Sequence, residues 1–129
     1  MKKFIYLFAL AGLFMLGMQS VNAQWSFDVK NVDIACDCET ITTKTLEYSI
    51  YDLVIDDYLV NPVTTSLPAT ETFTLSGSES IIIDQQDRYV AVVRISYFDP
   101  TLCCTGWNSY TFDSDELLGG DITIIVTLD

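Results

Sequence analysis

Ile122, Ile124, Val126 and Leu128 alternate with Thr123, Ile125 and Thr127, a period of two that sends one side of an extended strand into a core and leaves the other outside. The same period recurs upstream. Trp25, Phe27 and Val29 alternate with Ser26, Asp28 and Lys30, and after a three-residue step Val32, Ile34 and Cys36 resume, so a bulge is expected near Lys30-Asn31. Leu46, Tyr48 and Ile50 share one face of the next strand, opposite Glu47 and Ser49. From Arg88 to Phe98, Tyr89, Ala91, Val93, Ile95 and Tyr97 form one apolar face, while Val90 and Val92 interrupt the polar one, which suits a strand inside a sheet.

Breaks separate these runs. Pro62 and Pro68 remove backbone donors between Tyr58 and Thr70, predicting a long connection or irregular edge that crosses between sheets. Glu71 to Ser76 and Ile81 to Ile83 flank Gly77-Ser78, as in a hairpin. Asp99 to Asn108 reads as a loop before a short strand at Tyr110 and Phe112, and Asp113 to Gly120 as an acidic turn. The pattern predicts an all-β fold: a single antiparallel β-sandwich of about seven to eight strands, immunoglobulin-like or transthyretin-like in its Greek key. A closed barrel is the alternative. The long Cys-to-Trp-to-Cys spacing of immunoglobulin domains is absent, so the likeness is architectural.

The first residues carry an address. Met1-Lys2-Lys3, an apolar run from Phe4 to Met18 and small residues at Val21 and Ala23 form a signal peptide over residues 1–23, with the β-sandwich domain over 24–129. The apolar run is shorter than the roughly 20 residues of a bilayer span and no basic cluster follows it. No stable membrane insertion is expected after cleavage, and the mature protein is expected to be secreted, in the periplasm, at the cell surface or outside the cell. Cleavage would leave four Lys and Arg against 18 Asp and Glu, a balance too acidic for a nucleic-acid partner.

The chain has no histidine, which removes Ser-His-Asp and Cys-His catalysis and imidazole metal sites from its repertoire. Paired carboxylates could hydrolyse glycosides, but no spacing marks such a pair. An enzyme is not expected.

Cys36, Cys38, Cys103 and Cys104 are expected to form two long-range disulfides, since bridging adjacent residues is geometrically poor. Both later cysteines reach across most easily from a turn. A bridge from Cys38 to Cys103 would be worth roughly 4 kcal/mol by loop entropy, and a second beside it much less. A thiolate metal site or redox centre is disfavoured by export and by Asp37 and Glu39, which would raise thiol pKa values.

Recognition is assigned to loops. The first candidate carries Leu102, Trp107, Asn108 and Tyr110, with Trp107 expected to pack over the bridges rather than stand free. The second is the segment Asp113 to Asp121, where Asp113, Asp115, Glu116 and Asp121 are weak calcium candidates: the spacing fails the EF-hand pattern, and no other cofactor is expected. The chain is thus expected to be a secreted, non-catalytic module acting through a protein or glycan partner or through self-association. Alternatives are an acidic inhibitor or immunity-type protein blocking a basic partner, or a calcium-assisted carbohydrate-binding module.

Overall fold

A computed structural model of the chain describes residues 20–21, 24–34, 43–83, 85–98 and 102–129. The fold is all-β, with one short helix among the described residues. The strands are β1 (Ser20–Val21), β2 (Trp25–Asp33), β3 (Thr43–Asp52), β4 (Asp57–Ser66), β5 (Thr72–Gly77), β6 (Ile81–Ile82), β7 (Tyr89–Phe98), β8 (Leu102–Phe112) and β9 (Thr123–Leu128); α1 (Ser114–Gly119) lies between β8 and β9. They form a three-stranded sheet, β5-β2-β9, a four-stranded sheet, β4-β3-β7-β8, and the small ladder β1-β6.

One core unites the two larger sheets. Trp25, Phe27 and Val29 of β2 and Ile124, Val126 and Leu128 of β9 meet Leu46 and Ile50 of β3, Ala91, Val93 and Ile95 of β7 and Phe112 of β8. Phe27 is fully buried, stacked on Trp25 with ring centroids 5.9 Å apart and tilted against Phe112 at 5.4 Å. Truncating such a ring to alanine costs about 3–5 kcal/mol.

The expected interior position of the run from Tyr89 to Phe98 is observed, since β7 lies between β3 and β8. Pro62 lies on β4, at the edge of its sheet, where a missing N–H faces no neighbour. Other expectations are overturned. The pairing is not purely antiparallel: β2 and β9 run parallel, from Asp28↔Thr123 to Asp33↔Leu128. The hairpin between Glu71 and Ile83 does not form, because β5 pairs with β2 and β6 with β1. No bulge interrupts β2 at Lys30-Asn31: the ladder to β9 keeps register through both residues, and the ladder to β5 keeps register up to its end at Lys30. Instead Asn31 occupies the core-facing position and is 9% exposed, while Val32 turns away.

The acidic turn contains α1. Its start is fixed by the Asp113 N–H donating to the Glu116 carboxylate at 3.0 Å, and its end by Gly120 in the left-handed region at φ 72°, where a side chain would be strained. The Asp113-x-x-Glu116 spacing and the following Gly119-Gly120 are sequence signals for a helix of this kind.

The two sheets meet edge to edge at β8 and β9. Gly106 is central there, because a Cβ at this position would collide with the Thr127 carbonyl. Asn108 Nδ2 donates to the Ile125 carbonyl at 2.8 Å across the same seam. Ser20–Val21, within the expected leader, pairs only with Ile81–Ile82, so cleavage after Ala23 would leave both larger sheets intact. Among the described residues, no helix is long and apolar enough to cross a membrane.

Candidate functional site

The register of β3, β7 and β8 places Glu47, Arg94 and Trp107 side by side, with Arg94 directly opposite both neighbours. This row lies on the outer face of the four-stranded sheet, since Leu46, Val93 and Ile95 on the alternate positions are in the core. Trp107 is 69% exposed. The expectation that it packs over cysteine bridges is therefore corrected: strand alternation points its indole outward.

Below that row lie Ser49, Val92 and Ser109, then Tyr51, Val90 and Thr111. Val92 is exposed, as is Tyr58 on β4, which meets Tyr51 edge to face at 5.1 Å. The Tyr51 hydroxyl donates to the Asp56 carboxylate at 2.5 Å. That bond and the surrounding negative charge push the Tyr51 pKa up to about 12. Among the described residues the one ion pair is Arg88 with Asp52, so Arg94 and Glu47 present unpaired charges beside the indole. The outer face thus carries indole, guanidinium, carboxylate, phenol and hydroxyl groups, with Val92 and Val90 in the adjoining rows.

The first candidate segment is thus strand rather than loop. Its regularity separates the residues that the sequence grouped together. Trp107 faces out, whereas Tyr110 faces in and packs on Phe112 at 4.6 Å, and Asn108 reaches across the seam to β9. Leu102 begins the strand. Arg94 was missed because a charged residue on the polar side of a strand carries no signal until its neighbour across the ladder is known.

Cys103 and Cys104 also lie on β8 and not in a turn. The ladder steps from Tyr97↔Cys104 to Phe98↔Leu102, which leaves Cys103 as the extra residue of a bulge. A bulge lets two successive side chains leave a strand on the same side; Cys104 is buried and Cys103 packs against the core. Neither is a free thiol. Cys36 and Cys38 lie outside the described residues.

The calcium candidates do not converge. Asp113 accepts the Asp87 N–H at 2.7 Å and Glu116 accepts the Asp113 N–H, while Asp115 and Asp121 are exposed. Among the described residues no group of three or more His, Cys, Asp or Glu side chains is arranged to hold a metal ion. Comparisons with protein-family models, curated proteins and solved structures find no match.

Proposed function

We propose that the chain is an exported, non-catalytic β-sandwich module, immunoglobulin-like or transthyretin-like, that acts by binding at the cell surface or outside the cell. Its partner is a protein that docks on the outer face of the β4-β3-β7-β8 sheet. The observation that carries this reading is Trp107, 69% exposed in a regular strand with the Arg94 guanidinium opposite it. Trp, Tyr and Arg are the side chains that most often dominate protein interfaces, and Trp107, Arg94 and the exposed Tyr58 lie on this one face.

Two disulfides staple the module, one to each of Cys103 and Cys104. Support comes from the bulge at Cys103 and from the lack of a free thiol among the described cysteines. Thiol titration of the native protein should find no reactive group, and four would refute the staple.

The docking face is tested by retention of the purified chain on the native cell-surface and secreted fractions. Trp107→Ala is expected to weaken retention roughly thirtyfold, the loss of about 2 kcal/mol typical of a central aromatic. Undiminished retention would remove the face from the proposal. The acidic balance of 18 Asp and Glu against 6 Lys and Arg favours a second reading, an inhibitor that blocks a basic cleft. Its mark is an association rate that falls steeply with salt.

A further inference from the structure

Leu53, Val54 and Ile55 follow one another on the turn from β3 to β4 and are 53%, 61% and 59% exposed. Single apolar side chains on a surface are ordinary, but three in succession at the tip of a hairpin, rimmed by polar groups, mark a contact site. The turn is braced from below. The Leu53 N–H donates to the Arg88 carbonyl at 2.9 Å, and Asp52 Oδ1 accepts the Val54 N–H at 2.9 Å and the Ile55 N–H at 3.4 Å. Asp52 is itself buried and paired with Arg88, so the tip is held in shape before it meets anything.

Three features favour a lipid surface over a protein cleft. The N–H groups of all three apolar residues are already paired, and hydrocarbon, unlike a protein cleft, offers no partner to an N–H that lacks one. Behind the tip, Tyr51 and Tyr58 face each other across the ladder, and tyrosine is enriched at the depth where hydrocarbon gives way to headgroups. The Asp52↔Asp57 rung lies between the triplet and that tyrosine rung. Arg88, the cation beside the turn, is buried against Asp52, so the exposed charges next to the triplet are the carboxylates of Asp56 and Asp57.

We infer that the Leu53-Val54-Ile55 turn is a shallow anchor that enters the surface of a zwitterionic phospholipid bilayer. The three aliphatic side chains reach the acyl boundary, while Tyr51 and Tyr58 stay at headgroup depth. Asp56 and Asp57 then meet the cationic ends of choline or ethanolamine headgroups, whereas anionic headgroups repel them. Contact of this kind is reversible and far weaker than a membrane span. The anchor is independent of the Trp107 face, and either can fail alone.

The test is co-sedimentation of the chain, purified after export, with phosphatidylcholine vesicles at up to about 5 mM lipid, a range suited to a contact weaker than one acyl chain. Saturable retention is expected. Combining Val54→Ser with Ile55→Ser should weaken it about tenfold, and Trp107→Ala should leave it unchanged. Replacing about a third of the lipid by phosphatidylglycerol at low salt should weaken it about threefold, a difference that Asp56→Asn with Asp57→Asn should abolish. In the unsubstituted chain, a nitroxide on the acyl chains should broaden the methyl NMR signals of Leu53, Val54 and Ile55 before those of Val92 and Ile125, which are exposed elsewhere. Four outcomes would overturn the anchor: no retention on phosphatidylcholine, undiminished retention of the serine variant, tighter retention on the anionic vesicles, or broadening led by methyls outside the turn.

Discussion

Arg88 and Asp52 form a buried ion pair in which the guanidinium Nε and Nη2 both donate to the same carboxylate oxygen, Oδ2, at 2.9 and 2.7 Å. The other oxygen, Oδ1, accepts the Val54 N–H at 2.9 Å. One aspartate thus ties the entry of β7 to the turn between β3 and β4. Asp52→Ala leaves a buried guanidinium uncompensated, and urea unfolding should show a loss of about 3–5 kcal/mol. A double replacement by Leu at Asp52 and Met at Arg88 should cost much less, because it removes the unpaired charge.

Two glycines, Gly106 at the seam between the sheets and Gly119 in α1, should respond oppositely to an added methyl. At Gly106 an added methyl meets the backbone carbonyl of Thr127, which cannot swing aside, so Gly106→Ala should destabilise by about 1–3 kcal/mol. At Gly119, inside α1, the nearest atom is an Asp121 carboxylate oxygen at 3.9 Å, and Gly119→Ala should stabilise by about 0.4–1 kcal/mol. Melting temperatures of the two variants should move in opposite directions.

Alternation made the β class legible, because β2, β3, β7 and β9 each keep a regular inward set: Trp25, Phe27 and Val29 in β2, Ile124, Val126 and Leu128 in β9. It failed where side-chain type and position diverge. Asn31 fills an inward slot that looks polar, so an unbroken strand reads as a slipped one. Cys103 is an extra residue, and Gly106 has no side chain to show a face, so the first half of β8 reads as a loop. Trp107 was singled out by residue type, but its exposure follows from register with Arg94, a pairing across the sheet that no local pattern contains. Parallel pairing of the first and last long strands is equally non-local.

Asn31→Leu should stabilise the fold by about 1 kcal/mol, since it removes an orphaned buried acceptor while the half-buried Tyr97 hydroxyl keeps access to water. A rise in melting temperature would mark the unpaired Asn31 acceptor as a cost to the stability of the fold. A fall of similar size would contradict that assignment.

Spectrophotometric titration should find Tyr51 ionising near pH 12, because its hydroxyl donates to the Asp56 carboxylate. Asp56→Asn should return it toward 10; asparagine also tolerates the positive φ of 55° found there. A folded-state pKa raised above the unfolded value contributes stability that is fully present below pH 10 and is lost as pH rises through 12. Tyr89 is also raised, chiefly by burial, and its hydroxyl accepts the Ile82 N–H at 2.9 Å. Alkaline unfolding should therefore begin at lower pH in Asp56→Asn than in the wild type.

The central claim, that Trp107 is held out for a partner, is read most directly from its own fluorescence. Replacing the buried Trp25 by Phe leaves Trp107 as the only indole of the chain. Alone, this variant should be freely quenched by acrylamide. Added to the cell-surface fraction that retains the wild type, its emission should shift to the blue and quenching should fall severalfold. An indole already protected in the isolated protein, or one equally quenched when the chain is retained, would contradict the account.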